Sequence, residues 1–287
     1  MKFSCVTPCY NAGEYIEETM LSVLTQSVLR TPGHSLVYRI RDGGSSDDTA
    51  AIVQRVLANF ADRENINIEF VSEKDAGMYD ALASGLEGDR GADIYSYINA
   101  GDFYSEHAFD VVADIFSNHP VQFLTGFSVV YNQHSHLVAC RLPFAYHRGL
   151  MLKGFYGTLL PHVQQESTFW GAELHRSIDF TALRACRLAG DYALWKGFIR
   201  QAPLYIVSSW LGGFKRHDGQ LSQTFAAGYE SEIRTLADAR AWYDHCMAWA
   251  YKLMNYLPPG LNKRLSSHTF EYDHSLDCYR LSRQRHD

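Results

Sequence analysis

The sequence predicts an α/β protein built on a parallel sheet, and three observations carry this. Short apolar runs recur at residues 3–7 (FSCVT), 36–42 (LVYRIRD), 67–73 (NIEFVSE) and 92–99 (ADIYSYIN). Segments with apolar residues at helical spacing lie between them, the pattern of β-α-β units. Polar clusters end the runs, where a parallel sheet places its ligands.

Taken in order, FSCVT is a first strand, and YNAGEYIEETMLSVLTQS enters a helix whose Ile16, Met20, Val23 and Leu24 share a face. LVYRIRD is a second strand ending in the turn GGSSDDT, followed by the helix AAIVQRVLANF (50–60). NIEFVSE leads into a helix striped by Met78, Ala81, Leu82 and Leu86, and ADIYSYIN stops at Ala-Gly-Asp. Residues 107–118 read as a helix, 121–132 as a strand bent near Gly126, 138–170 as irregular, 188–202 as a helix and 228–257 as one long helix. No repeat or low-complexity linker divides the chain. The expected organisation is a catalytic domain over 1–225 with a helical extension over 226–287.

Composition narrows the class. The 287 residues are 46% hydrophobic and 20% charged, enough for a sizeable core, and the net charge of −6 argues against a nucleic-acid partner. The six cysteines form no C-x-x-C pair, which fits free thiols in a reducing compartment. The apolar run at the N-terminus is short for a signal peptide and no stretch reaches about 20 apolar residues, so the expected location is the cytoplasm. No G-x-x-x-x-G-K-[ST] occurs and no G-x-G-x-x-G follows the first strand, which counts against kinase and dehydrogenase chemistry.

Four strand ends carry polar clusters: TPCYN (7–11), DGGSSDDT (42–49), SEKDAG (72–77) and NAGD (99–102). Ser45, Ser46 and Asp47 suit the capping of the next helix. Asp42 stands too early for that duty, and a carboxylate there can accept the imide N–H of a uracil or thymine ring.

V-T-P-C-Y-N, D-G-G-S-S-D-D-T, S-E-K-D-A-G-M-Y-D-A and N-A-G-D, in that order and spacing, resemble family 2 glycosyltransferases of the GT-A fold, over roughly residues 3–225. The resemblance implies a Rossmann-like nucleotide-binding domain with an open mixed, mainly parallel sheet, and a nucleoside diphosphate sugar donor, a UDP-sugar foremost. It implies that Thr7, Pro8, Tyr10 and Asp42 line the nucleoside pocket, with Lys74 and Asp75 near the ribose or diphosphate. The family's D-x-D-like cluster is thinned here to Asn99-Ala100-Gly101-Asp102, which makes Asp102 the expected ligand of a divalent metal, Mn²⁺ or Mg²⁺, shared with the diphosphate. Ala83-Ser84-Gly85 departs from the Asn-Lys-Gly common in relatives.

HVQQESTFW (162–170) resembles the family's H-Q-x-x-x-F loop, where either Gln164 or Gln165 fills the glutamine role. Asn99 and Gln165 would then contact donor or acceptor, with Trp170 or Phe169 stacking on a pyranose ring. Asp191 in A-G-D-Y matches the acid the family uses as general base in inverting transfer; its alternative role is the N-cap of the following helix. GGFKRHDGQLSQ (212–223) resembles a donor-side loop in which Lys215 and Arg216 face the diphosphate, His217 ligates the metal and the glycine pair lends mobility.

The implied acceptor is a hydroxyl of a glycan or lipid-linked saccharide in polysaccharide biosynthesis. The long C-terminal helix either packs on the catalytic domain or, with Lys263, Arg264, Arg280, Arg283 and Arg285, meets the inner face of the plasma membrane. The rival functions are a non-catalytic glycan-binding or scaffold protein on the same fold and a sugar nucleotidyltransferase. TPCYNAGEY lacks the basic glycine-rich phosphate loop of the latter, and Asp42, Asp102 and Asp191 are all present, against the former.

Overall fold

A computed structural model describes residues 1–89, 91–216, 226–257 and 268–282. The chain begins as predicted: β1 (Lys2–Cys9), α1 (Ile16–Leu24), β2 (Ser35–Asp42), α2 (Thr49–Ala58), β3 (Ile66–Ser72), α3 (Met78–Leu86) and β4 (Ile94–Tyr97). There follow β5 (Phe103–Tyr104), α4 (Ala108–Asn118), β6 (Phe123–Thr125), β7 (Ser128–Tyr131), β8 (Leu137–Arg141), α5 (Arg148–Leu152), β9 (Thr168–Gly171), α6 (Ala172–Arg176), α7 (Phe180–Ala185) and α8 (Gly190–Ile199). β10 (Tyr205–Val207), β11 (Gly212–Lys215), α9 (Ala226–Leu236), α10 (Trp242–Met254), β12 (Thr269–Asp273) and β13 (Cys278–Leu281) complete it.

The nine-stranded sheet runs β13-β12-β10-β6-β9-β4-β1-β2-β3, and a four-stranded sheet runs β5-β11-β7-β8. β1, β2, β3 and β4 are mutually parallel, whereas β9 is antiparallel to both its neighbours. Alternation along each strand sends side chains to opposite faces. Phe3, Cys5 and Ile94 therefore pack with Met20, Val53 and Phe109 of α1, α2 and α4, while Val6, Tyr95 and Tyr97 pack with Leu82, Leu183 and Phe198 of α3, α7 and α8. Helices on both faces are what a parallel sheet requires, since both faces are apolar.

Four sequence expectations change. Residues 138–170, expected to be irregular, hold most of β8 and β9 and all of α5. The bent strand at 121–132 is two strands in different sheets. A Cβ at Gly126 would come within 2.8 Å of the Ser209 carbonyl oxygen, and Phe127 N donates to that oxygen (2.9 Å), so the chain turns away from β6 here. The single helix over 228–257 is α9 and α10. Asp238 N donates to Leu152 O (2.9 Å), Arg240 binds the carbonyls of Lys153 and Gly154, and Asp244 accepts from Ala241 N (2.6 Å), so tertiary partners take the backbone between them. The C-terminal segment also contains a hairpin: β12 pairs with β10, adding to the main sheet, and β13 pairs with β12. Among the described residues, no helix is long and apolar enough to cross a membrane.

A buried ion pair fastens β2 to the loop after α3. Arg39 bonds Asp89, which also accepts from the Ser4 hydroxyl (2.5 Å). Burial works against the Asp89 charge, but Ser4 and Arg39 outweigh it and hold the carboxyl below the usual range. A depressed folded-state pKa contributes stability above the unfolded value of about 3.9 that disappears as pH falls through the depressed value. Arg39→Met leaves that carboxylate buried without its cation, so unfolding free energy should fall by roughly 3 kcal/mol and the acid-unfolding midpoint should move to higher pH in a urea and pH titration followed by circular dichroism. An unchanged acid limb would show that the pair carries no stability.

Candidate active site

The parallel register brings the polar strand ends side by side. Cys9 lies opposite Asp42 and Asp42 opposite Ser72, while Val6 pairs with Tyr97, so residues 99–102 emerge beside the end of β1. Asp42 is 2% exposed. It accepts from Ser45 N (3.1 Å), the Ser45 hydroxyl, the Ser72 hydroxyl (2.6 Å) and the Cys9 thiol (3.9 Å). Burial, with the Asp42 charge beside it, pushes the Cys9 thiol far above its ordinary value. Asp42 thus does brace its own turn, a duty the sequence spacing argued against.

The two loops interlock. Asn11, at φ 46°, accepts from Ser46 N (2.9 Å), while Ser45 Oγ, Thr49 Oγ1 and Asp47 take the N–H groups of Asn11, Ala12 and Gly13 at 2.7, 2.8 and 3.0 Å. A Cβ on Gly43 would stand 2.8 Å from Asp75 Oδ2, so any larger residue there would displace the Asp75 side chain from its place against the second loop. Tyr10, Lys74 and Asp75 are exposed around this mouth. Thr7 is not part of it: its side chain is fully buried and its hydroxyl bonds the Tyr38 hydroxyl (2.8 Å). Pro8 is buried within β1.

Beyond β4 the two glutamines point different ways. Gln164 exchanges two 2.6 Å bonds with the backbone N–H and C=O of Val129, which docks the loop on β7. Gln165 instead accepts from Asn99 Nδ2 (3.2 Å) and donates to Tyr97 O. Asn99 Oδ1 is buried without a hydrogen-bond partner. Asp102, 3% exposed, accepts from Lys215 N (3.0 Å). Beside it lies Glu166, equally buried and bonded by Gln164. Burial and the Glu166 charge hold the Asp102 carboxyl well above the usual range, and burial with the Asp191 charge pushes Glu166 up to about 7.

Glu166 was missed by the motif reading, which passed over an acid between the paired glutamines and the apolar Thr168-Phe169-Trp170. Trp170 is corrected in turn. It is fully buried in β9 against Tyr95, Tyr97, Trp195 and Phe198, as is Phe169 against Tyr104 and Phe109, so neither ring meets a sugar.

Asp191 occupies the first turn of α8 and does not act as its N-cap, which is Ala189 with no side-chain cap. The Tyr229 hydroxyl of α9 lies 2.9 and 3.1 Å from the two Asp191 oxygens, and the Tyr79 hydroxyl, bonded to Leu188 O (2.9 Å), is 3.5 Å away. Burial raises the Asp191 pKa, with Tyr229 and Tyr79 pulling it back. Gly190 makes this possible, since a Cβ there would stand 2.4 Å from the Tyr79 ring. Glu232 of α9 takes the N–H groups of Arg187 and Leu188, both at 2.8 Å. The segment after residue 225 therefore closes over Asp191.

Of the expected donor-side loop, Lys215 N holds Asp102 while its ammonium pairs with Glu18 (2.6 Å), and Arg216 is exposed. His217 lies outside the described residues. Gly212 and Gly213 serve close packing rather than mobility: a Cβ on Gly212 would stand 2.0 Å from the Glu166 carbonyl oxygen. Among the described residues no group of three or more His, Cys, Asp or Glu is arranged to hold a metal.

Residues 4–165, more than half of the chain, match the family described as Glycosyl transferase family 2. The chain belongs to this family. The family 2 chain is similar in fold to TarS of S. aureus, with a TM-score of 0.57 at 15% identity over 89% of this chain and 43% of that one, so it spans less than half of that relative. A TarS 1–349 structure in complex with UDP gives 0.56 at 13% identity over 92% and 78%. The mannosyltransferase PcManGT of Pyrobaculum calidifontis, in complex with GDP-Man and Mn²⁺, gives 0.53 at 14% over 91% and 71%. These likenesses show the fold. None of the curated proteins compared matches the chain.

The two glutamines should separate on substitution. Gln164→Ala strips both partners from Val129 and Gln165→Ala leaves the Tyr97 carbonyl unbonded, so each should cost on the order of 2 kcal/mol in urea unfolding, but Gln165→Ala alone should also weaken ligand binding. Weakened ligand binding in Gln164→Ala with none in Gln165→Ala would exclude Gln165 from the site.

Proposed function

We propose that this family 2 chain is an inverting glycosyltransferase that moves a sugar from a nucleoside diphosphate donor, a UDP-sugar foremost, to a hydroxyl of a glycan or lipid-linked acceptor. The observation that carries the reading is a set of three carboxylates, buried Asp102 beyond β4 and half-buried Asp191 on α8, each interacting with the charge of buried Glu166.

In this reading Tyr10, Asp42, Lys74 and Asp75 form the nucleoside end of the site. Asp42 is fixed by its turn, and the base reads that fixed carboxylate. Asp191 receives the proton of the acceptor hydroxyl as that oxygen attacks the anomeric carbon from the side opposite the diphosphate. The bond from carbon to phosphate oxygen breaks, its electron pair leaves with the nucleotide, and the configuration inverts. A base buried enough to have a raised pKa is better matched to neutral pH than an exposed aspartate. Tyr229 orients Asp191 and shares its oxygens with the incoming hydroxyl.

The residues present fit a hard divalent cation. Asp102 and Glu166 repel each other with no ion-pair partner among the described residues, and Asn99 leaves a buried carbonyl oxygen unused. Asp102, with Asn99, would hold Mn²⁺ or Mg²⁺, which when bound supplies charge neutralisation for the departing diphosphate. His217 remains a further proposed ligand from outside the described residues.

Calorimetric titration with UDP, GDP, dTDP and CDP, with and without Mn²⁺, tests the donor half. One nucleotide should bind in a metal-dependent way, and Asp42→Ala and Asp102→Ala should each weaken it by about tenfold or more. If none binds the unaltered chain, a glycan-binding scaffold becomes the better reading.

For the transfer half, Asp191→Asn should leave nucleotide affinity intact and lower turnover by roughly 10²-fold or more. Tyr229→Phe removes a bond that lowers the Asp191 pKa, so the acid limb of the kcat/KM profile should move to higher pH. Normal turnover in Asp191→Asn would remove this residue from the mechanism.

A further inference from the structure

Helix α10 is apolar on two sides. One side packs inward through buried Ala248 and half-buried Met247 and Tyr251. The other is bare: Trp242, Trp249, Leu253 and Tyr256 are 79, 53, 67 and 71% exposed, and Cys246 lies exposed among them. At 100° per residue Trp242, Cys246, Trp249 and Leu253 fall within an arc of about 60° and span about 17 Å of helix, with Tyr256 in the turn just beyond. Tyr243, 56% exposed, flanks the arc. An uninterrupted aromatic row of this size on an otherwise acidic chain marks an interaction surface.

Charge identifies the occupant. The one carboxylate of α10, Asp244, is 1% exposed and paired with Lys153 at 2.5 Å, so the outer face carries no negative charge. Cations lie over its rings instead: Lys252 Nζ is 4.8 Å from the centre of Trp249 and Arg141 Cζ 5.9 Å from Tyr256, while Lys153, 5.4 Å from Tyr243, is the cation already paired with Asp244. A second copy docked on the same face would set Lys252 and Arg141 against their own counterparts, and α10 itself offers them no exposed acid. Tryptophan and tyrosine with lysine and arginine beside them suit the boundary of an anionic bilayer, where rings enter the headgroup region and the cations meet phosphates.

We propose that the outer face of α10 is a docking surface for an anionic lipid membrane, laying the helix in the interface plane. The inference stands apart from the transferase reading, because it requires neither donor nor acceptor.

The test is sedimentation of the full chain, without nucleotide, with vesicles of phosphatidylglycerol and phosphatidylcholine in equal parts and with vesicles of phosphatidylcholine alone. The chain should sediment with the anionic vesicles, less so in high salt, and its tryptophan emission should shift to the blue. The triple variant Trp242→Ala, Trp249→Ala, Leu253→Ser should lose about tenfold or more of its partitioning with unchanged circular dichroism and melting temperature. Lys252→Glu, which leaves the rings in place, should weaken binding to the anionic vesicles. Absence of the unaltered chain from the anionic pellet, or equal sedimentation of the triple variant, overturns the proposal. So does a concentration-dependent dimer in light scattering that the triple variant abolishes, which would make a second copy the occupant.

Discussion

The parallel ladder joining β1, β2, β3 and β4 is the constraint from which the rest follows. Its register sets Cys9, Asp42 and Ser72 on one line and carries residues 99–102 to the same edge. Four short clusters scattered over almost a hundred residues therefore share one rim. A shift of one residue in any pairing would turn the apolar side chains out of the core and Asp42 away from its partners. The cores on both faces, with Phe109 and Phe198 among their largest buried rings, are what hold that register.

The second half of the molecule adds a different kind of order. β9 runs against the parallel strands and places Gln165 and Glu166 at the rim, while β11 brings a backbone N–H to Asp102. The carboxylates of Asp102, Glu166 and Asp191 are then held in low dielectric, each raising the free energy of a neighbouring charge. Such an arrangement weakens the fold locally and is characteristic of sites that handle charge. α9 closes it from the far end of the chain through Tyr229 and Glu232.

Glycines at the site owe their places to contact rather than to mobility. Gly43, Gly190 and Gly212 stand where a methyl group would strike Asp75, the Tyr79 ring or the Glu166 carbonyl. The loop motifs are therefore packing motifs as well as chemical ones, which explains how short polar stretches hold a defined geometry without regular structure.

The sequence by itself determined the α/β class, the first seven elements and the family, because amphipathic periods of two and 3.6 and the order of the strand-end motifs are local properties of the chain. It also determined that Asp42, Asp102 and Asp191 stand at the ends of elements. Only the tertiary structure separated Gln164 from Gln165, because one loop residue faces β7 and its neighbour faces Asn99. It likewise drew Thr7 and Trp170 into the core, broke the long C-terminal helix where Leu152, Lys153 and Gly154 offered their carbonyls, and brought Tyr229 to Asp191 across 38 residues of chain. Those outcomes depend on which groups lie nearby in space, a relation that residue spacing alone does not contain.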